Sequence, residues 1–212
     1  MQNNPAQNNK ENINDAALAY MEQKYGEIFE YSAPYGNSMT GTHQLLVKCA
    51  RFPDQDILVR IENYKREDKV FLDNYLAVKY REDTIEFLSD CANQVFGEAR
   101  IYYDVDYQAL SPELSADAAF NAYLADTRVP LNIMVEVKAS DFVSEDQAQQ
   151  IAELIAANGT YYYISIMIVN DGEYGSYDSK TLEKQMSLGN YAHCAKITRL
   201  DGEIRVRWLE KE

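Results

Sequence analysis

The chain has 212 residues, of which 46% are hydrophobic and 25% charged, and this balance excludes wholesale disorder. Its 34 acidic and 20 basic residues give a formal net charge of −14 at pH 7, which disfavours general binding to the phosphate backbone of nucleic acids. No segment approaches the roughly 20 apolar residues that a membrane-spanning helix needs, so we expect no membrane span.

Residues 1–14 are rich in Asn and Gln and nearly lack apolar side chains, so we expect a disordered leader or tether. This segment has no hydrophobic stretch of the kind that a signal peptide carries. Two interpretations stay open: the natural start of a cytoplasmic protein, or a polar spacer that followed a signal or lipid-anchor segment. We favour the second interpretation, because such a composition suits a flexible tether.

The first element after the leader is a helix, predicted over residues 15–25. Asn12 offers a side-chain oxygen to the free amides of the first turn. Ala17 and Met21 fall on one apolar stripe, and Gly26 supplies the stop.

Alternating apolar and polar residues then predict a set of strands. They cover residues 28–32, 45–50, 57–63 and 70–79. A loop is expected over 33–43, which holds several turn-forming residues. Asp73 and Asn74 mark a bulge or a break in the last of these strands.

Helices and strands alternate in the rest of the chain. Helices are predicted over residues 83–96, 115–125 and 180–188, and another between Ser144 and the stop at Asn158-Gly159, with its core face at 148–155. Strands are predicted over 101–105, 131–138 and 160–170. Capping boxes begin two of the helices, at Asp83/Glu86 and Ser144/Gln147. Strand 160–170 is apolar on both faces, so we expect it in the middle of a sheet.

The chain ends in a predicted β-hairpin of strands 191–200 and 203–209, joined by the turn dipeptide Asp201-Gly202. If Leu200 pairs with Glu203, His193 falls on the apolar face of the hairpin. The opposite face then carries four polar side chains: Lys196, Thr198, Arg205 and Arg207.

This order of elements predicts an α+β fold with mixed or mainly antiparallel sheets and helices packed on one face, because several strands keep one polar face. The regions 15–97 and 98–212 form two layer systems of similar size, either two small domains or one continuous domain. The Gly-x-Gly turn of nucleotide-binding folds is missing.

The opening AYMEQKYGEIFEY and the later segment FLDNYLAVKYRED resemble uncharacterised bacterial α+β proteins, many of which are predicted to be secreted or lipid-anchored. The resemblance covers roughly the first 80 residues. It implies a small helix-on-sheet module at the cell surface, and it brings no reaction and no catalytic residues.

Reactive side chains are few and scattered. The two histidines, His43 and His193, form no local nucleophilic pair with a cysteine. The three cysteines are expected as small buried side chains, with one disulfide plus a free thiol as the alternative. The motifs of serine hydrolases, zinc proteases and P-loop enzymes are missing, so we assign no catalytic residue and expect no cofactor.

Two groups of carboxylates are compatible with other functions, a hydrolase and a calcium site. Asp104, Asp106 and Glu136 lie on neighbouring predicted strands and could serve a hydrolase that works through paired carboxylates. A second group, on a Gly-containing loop, offers oxygen ligands to a calcium ion: Asp171, Glu173 and Asp178. Its spacing does not match an EF-hand, and a solvated loop is the favoured interpretation.

Tyrosine is unusually frequent, with 17 residues against 7 Phe and 1 Trp. Three of the tyrosines on or near Gly/Ser loops are candidate ligand contacts: Tyr35, Tyr174 and Tyr177. This hypothesis requires loops 33–41 and 171–178 to lie close together.

The predicted polar face of the hairpin is basic, whereas residues 82–190 hold 19 acidic and 5 basic side chains. The strip of Lys196, Arg205 and Arg207 therefore suits an acidic partner or the protein's own acidic region, although an ordinary wet sheet face is favoured.

These patterns favour a non-catalytic binding module at the bacterial cell surface, with a protein, peptide or envelope component as its partner. The alternatives are the carboxylate-dependent hydrolase and a cytoplasmic accessory protein with a structural role.

Overall fold

The computed structural model describes residues 12–37, 41–103, 105, 110, 112–125, 131–141, 145–157, 162–200 and 203–209. The chain divides into two compact units between Tyr75 and Leu76. None of the helices in the described ranges combines the length and apolar character that crossing a membrane requires.

The first unit is a four-stranded antiparallel sheet with one long helix. Its elements are α1 (Ile13–Tyr25), β1 (Phe29–Asn37), β2 (His43–Cys49), β3 (Ile57–Glu62) and β4 (Val70–Asp73). The strands pair in chain order, β1-β2-β3-β4, so each is bonded to the strand that precedes it. The short helix α2 (Tyr75–Lys79) follows at the boundary between the units.

Helix α1 ends where the sequence predicts but begins two residues earlier, at Ile13, so residues 13–14 belong to the helix and not to the expected leader. The side chain of Asn12 accepts a hydrogen bond from the amide of Asn14, and Gly26 ends the helix in the left-handed conformation, with φ 67°. Ala17 and Met21 are fully buried. The helix therefore packs through the stripe that its periodicity indicates.

Two predictions for this unit are wrong. Strand β1 continues through Asn37, whereas a loop was expected from residue 33, and register shifts at Tyr31/Ala33 and Pro34/Gly36 accommodate the turn-forming residues within the strand. The strand predicted over 70–79 ends at Asp73. It ends there because Asp73 accepts the amide of Tyr75 and Asn74 accepts that of Leu58, which turns the backbone into α2.

A buried carboxylate joins α1 to β4. Lys24 Nζ lies 2.8 Å from Asp73 Oδ2, and the hydroxyl of Tyr20 donates to the same oxygen at 2.9 Å. Tyr25 Oη donates to Oδ1 at 2.6 Å. The carboxylate of Asp73 is therefore buried with a cation and several donors around it, the arrangement that a buried charge requires.

The second unit is built on a five-stranded sheet. It contains α3 (Arg81–Phe96), β5 (Ala99–Tyr103), α4 (Phe120–Leu124), β6 (Leu131–Lys138), α5 (Glu145–Ala156), β7 (Tyr162–Val169), α6 (Ser179–Ser187), β8 (His193–Leu200) and β9 (Glu203–Leu209). The strand order is β5-β6-β7-β8-β9. Only the β6–β7 pair is parallel, with α5 as its crossover. The predicted α+β fold is confirmed.

The apolar face of this sheet packs against α5. Strands β6 and β7 bury alternate residues on that face, among them Val135 and Ile166. Helix α5 buries Ile151 and Ile155, and the Tyr162 hydroxyl donates to the Ala152 carbonyl at 2.7 Å. The central position of β7 explains why its sequence is apolar on both faces.

Several local predictions for the second unit are corrected. Helix α3 begins at Arg81, two residues before the expected start, so Asp83 lies inside the first turn and the predicted Asp83/Glu86 box does not form. The helix has no side-chain cap, and the Thr84 hydroxyl donates to the carbonyl of Tyr80. Helix α4 has only five residues instead of the expected 115–125. His193 is exposed at the end of β8 instead of facing the core. Ser144 and the Asp201-Gly202 turn lie outside the described residues.

Candidate binding site

Three rows of side chains run across the second sheet on the face opposite α5, because paired residues on neighbouring strands point to the same side. The covered row consists of Arg100, Glu136, Met167, Cys194 and Leu209. The boundary row consists of Tyr102, Met134, Ser165, Lys196 and Arg207. The open row consists of Asn132, Tyr163, Thr198 and Arg205.

The covered row lies beneath helix α6 and the segments on either side of it. Leu182 of α6 and Tyr191 are buried in one apolar cluster with Met167 and Cys194. Tyr174, Tyr177 and Met186 pack against the same cluster and are half-buried. This end of the sheet face is therefore filled by the chain's own side chains.

Glu136 holds the loop between β7 and α6 against the sheet. Its carboxylate is fully buried and accepts hydrogen bonds from Tyr102 Oη at 2.8 Å and from the amide of Gly175 at 3.1 Å. Arg100 Nε lies 4.0 Å from the same carboxylate, and Arg100 Nη1 donates to the carbonyl of Gly175 at 3.0 Å. The carboxylate of Glu136 and the guanidinium of Arg100 thus hold both backbone polar groups of one loop residue, Gly175.

Tyr102 connects this buried network to the open part of the face. Burial, together with the hydrogen bond to Glu136, raises the pKa of Tyr102 above its ordinary value. The hydroxyl therefore stays protonated at neutral pH and remains a donor. It also lies 3.0 Å from the carbonyl oxygen of Tyr177, so it contributes to fixing the loop.

A groove of about 460 Å³ lies beside Tyr102, between α6 and the uncovered part of the sheet. From the sheet it is lined by Tyr102, Asn132, Met134, Tyr163 and Ser165, and from the helix by Ser179, Glu183 and Met186. The lining combines aromatic, thioether, amide and hydroxyl groups. Such a mixture provides both apolar contact area and hydrogen-bonding groups for a ligand.

Beyond the groove, the boundary row ends in two cations. Lys196 and Arg207 are directly opposite each other on β8 and β9, and both are exposed. In the open row, Arg205 pairs with Glu203 at 3.0 Å. The register predicted from pairing Leu200 with Glu203 is confirmed, and it puts these cations on one face.

The three tyrosines predicted to bind a ligand lie in different places. Tyr35 is on β1 in the first unit and is 45% exposed. Tyr174 and Tyr177 belong to the loop over the covered row, where Lys138 Nζ lies 4.8 Å from the centre of the Tyr174 ring. Tyr177 also lines a separate hollow of about 400 Å³. Their predicted role as one ligand-binding surface stays a prediction.

The three candidate metal ligands have separate partners. Asp171 Oδ1 accepts the amide of Ser140, Asn170 donates to Glu173, and Asp178 caps α6 by accepting the amide of Thr181. Among the described residues, no group of three or more His, Cys, Asp or Glu side chains is arranged to hold a metal ion. The structure does not bring these three carboxylates together as a metal centre.

Of the candidate hydrolase carboxylates, Asp104 and Asp106 lie outside the described residues. Glu136 is enclosed by its hydrogen-bond partners. Cys49, Cys91 and Cys194 are free and buried, as expected for small apolar side chains. Burial raises the pKa of the Cys194 thiol to about 11, which suppresses its thiolate.

Sequence reasoning did not identify the groove. The alternation along β6 places Asn132 and Met134 on its polar face, but nothing in that pattern marks them as ligand contacts. The pattern of β7 gave no sign that Tyr163 and Ser165 face an opening, because the strand is apolar on both sides. The parallel pairing of β6 with β7 brings these four residues together.

Comparison with known proteins assigns no family and no function to this chain. No family model matches it, and no curated protein matches it. Among solved structures, it is similar to the crystal structure of a DUF5037 family protein from Ruminococcus gnavus, with 12% sequence identity and a TM-score of 0.44. The match covers 91% of this chain and 94% of the other. At that TM-score the likeness carries no functional argument.

Proposed function

We propose that this protein is a non-catalytic binding module whose ligand lies in the groove beside α6 and on the open row of the second sheet. The observation that carries the proposal is that the chain covers one part of this face of the second sheet and leaves the other part open. The covered row is filled by the chain itself, while the open row presents Tyr163, 41% exposed, beside the groove. An exposed aromatic ring next to a groove of mixed polar and apolar lining supplies rigid contact area for a ligand.

The chemistry of the groove favours binding over hydrolysis. Glu183 is the single carboxylate among the described residues that line it. A hydrolase of the paired-carboxylate type needs two such groups about 5–10 Å apart across the substrate. Glu136 is fully buried and already accepts hydrogen bonds from the sheet and the loop, so it supports the loop next to the groove.

The proposal also places the module outside a bacterial cell, on a tether formed by the polar leader. The composition of residues 1–14 supports this setting, as does the resemblance of the opening segment to uncharacterised proteins, many of which are predicted to be secreted or lipid-anchored. Protease treatment of intact cells that express the natural gene tests it. Degradation of this protein while a cytoplasmic marker survives is the expected result, and survival of both would contradict the surface location.

Selection from a phage-displayed library of random peptides tests the binding site. We expect enriched clones that bind the purified protein and bind Tyr163→Ala at least about tenfold more weakly, because truncation of an aromatic contact is among the largest single losses at an interface. Ser165→Gln, which narrows the groove, should weaken the same clones.

Tyr31→Ala is the matched control, since Tyr31 is an exposed tyrosine, 44% accessible, on a strand of the first sheet. It should leave binding unchanged. Failure to enrich any clone would overturn the proposal, and so would clones that bind Tyr163→Ala and Ser165→Gln as tightly as the wild type. Circular dichroism spectra confirm that each variant remains folded.

A further inference from the structure

Lys196 and Arg207 form a like-charge pair across two strands. They are directly opposite in the β8–β9 ladder, and like charges at such positions repel each other and weaken the pairing. Both side chains are exposed. Within the described ranges, no carboxylate lies within 4.0 Å of either cation.

Two other cations of the same unit do have carboxylate partners. Arg205, two residues from Arg207 on the same strand, pairs with Glu203, and Lys138 pairs with Glu98. The chain carries 34 acidic side chains against 20 basic ones. Two adjacent cations that face solvent in so acidic a chain form a local site of opposite charge, which fits an anionic ligand.

The boundary row connects this cation pair to the groove. Ser165 pairs with Lys196, and Met134 pairs with Ser165, so all belong to one line across the strands. With strands about 4.8 Å apart, Lys196 lies about 10 Å and Arg207 about 14 Å from Met134. An extended peptide rises about 3.3 Å per residue, so four or five residues span the distance.

We propose that the ligand is an acidic peptide segment that lies across the strands along the boundary row. This inference rests on the proposed function, because it assigns a ligand class to the same site. An apolar side chain of the peptide packs in the groove against Met134 and Met186. An acidic side chain about three residues away pairs with Lys196, and one about four or five residues away pairs with Arg207.

The lining of the groove favours a peptide over an anionic polysaccharide. Met134 and Met186 present thioether side chains, which adapt to apolar groups of varied shape. An acidic polysaccharide would offer charge to the cation pair but no apolar side chain to these methionines. The planar guanidinium of Arg207 also matches a carboxylate in two-point geometry.

Fluorescence anisotropy with labelled pentapeptides tests the inference. The probe contains one phenylalanine, one serine and three glutamates, and its neutral counterpart has glutamine in place of each glutamate. We expect the acidic probe to bind the wild type at least about tenfold more tightly than the neutral one. Lys196→Gln and Arg207→Gln should each weaken its binding by several-fold to about tenfold, and rising salt should reduce the difference between variant and wild type.

Lys48→Gln is the control for loss of one positive charge, since Lys48 is an exposed residue on a strand of the first sheet. It should bind the acidic probe as the wild type does. The inference is overturned if the acidic and neutral probes bind equally, or if Lys196→Gln/Arg207→Gln binds the acidic probe unchanged. Sodium polygalacturonate is the competing probe, and tighter binding of it through the same two cations would replace the peptide by a polysaccharide.

The two proposals fail in different ways. If peptides selected by phage display bind the double charge variant normally but lose affinity for Tyr163→Ala, the binding module stands and the acidic ligand class is wrong. If Tyr163→Ala and Ser165→Gln bind every probe as the wild type does, the site itself is wrong. The substitutions are at exposed or half-buried positions, and the fluorescence of Trp208, the single tryptophan of the chain, reports whether the second unit stays folded.

Discussion

Asp73 in the first unit and Glu136 in the second are both buried carboxylates, and each is stabilised differently. Asp73 has the ammonium of Lys24 at 2.8 Å, together with two tyrosyl hydroxyls from the same helix. Glu136 relies on a hydroxyl and a backbone amide, and its nearest cation, Arg100, is 4.0 Å away and half-exposed.

Asp73 therefore has a purely structural role, whereas Glu136 also shapes the candidate binding site. The partners of Asp73 all come from α1 and from the adjoining backbone, so the residue joins helix to strand. Glu136 binds the amide of Gly175 and the hydroxyl of Tyr102, which lines the groove. Its loss should disturb the loop and the groove before it disturbs the sheet.

The largest effect is expected for Asp73→Ala. The substitution leaves the mostly buried ammonium of Lys24 without its counter-charge, so the free energy of unfolding should fall by about 3–5 kcal/mol. Urea unfolding measures the loss, and hydrogen exchange of residues 12–25 localises it. Asp54→Ala, at an exposed carboxylate of the first unit, is the control and should change stability by less than about 0.5 kcal/mol. Equal effects of the two variants would contradict the assigned role.

Glu136→Gln tests the corresponding buried carboxylate in the second unit. The amide nitrogen of glutamine brings a donor to a place where Tyr102 and the Gly175 amide both donate, so we expect a loss of about 1–3 kcal/mol. Unfolding followed by Trp208 fluorescence measures it, and the amide of Gly175 should exchange faster. Glu113→Gln, at an exposed site, should change neither quantity. Unaltered exchange at Gly175 would show that the carboxylate does not hold the loop.

Gly172 and Gly175 both lie in the loop between β7 and α6. Substitutions at the two positions therefore test the contact between Gly175 and Arg100 with an internal control. Gly175 has φ 76°, and a Cβ there would overlap Arg100 Nη1, whereas a Cβ at Gly172 meets nothing within 4 Å. Gly175→Ala should therefore destabilise the protein by about 1–2 kcal/mol. Gly172→Ala should be neutral or slightly stabilising, because alanine restricts the unfolded chain. Thermal unfolding of both variants tests this prediction. A similar loss of stability at both positions would mean that neither the positive φ of Gly175 nor its contact with Arg100 matters.

The smallest predicted effect is a loss of stability of the first unit at alkaline pH. Burial, and next the charge of Asp73, raises the pKa of Tyr25 above its ordinary value of 10.0. A pKa raised by folding means that stability is complete below about pH 10 and declines as the pH rises further. The free energy of unfolding, obtained from urea titrations between pH 9 and pH 11, should fall less steeply with pH in Tyr25→Phe, by up to about 1.4 kcal/mol per pH unit. Tyr35→Phe, at a half-exposed tyrosine, is the control, and an unchanged slope in Tyr25→Phe would contradict the prediction.

Local chemistry explains what the sequence could predict. Asn12 and Gly26 mark the ends of α1 because capping depends on nearby residues alone. The alternation in the last two strands was sufficient to place Lys196, Thr198, Arg205 and Arg207 on one face, since a hairpin pairs adjacent segments. The break after Asp73 was also visible in the sequence, although its result, a short helix, was not.

The candidate site depends on pairings between distant segments, and these could not be inferred from local patterns. Tyr102 and Met134 are neighbours across β5 and β6, and Ser165 joins them through a parallel pairing. The burial of Glu136 follows from a loop that returns to the sheet nearly forty residues later. A lone acid in an alternating strand looks solvated until that loop is known.

The parallel pairing of β6 with β7 also bears on how the chain acquires its structure. In the first sheet every strand pairs with the one before it, so each contact closes a short loop. In the second sheet the pairing of β7 with β6 closes the much longer connection that contains α5. Because closing longer loops slows folding, the half that is synthesised first is also the half whose topology allows the faster folding rate.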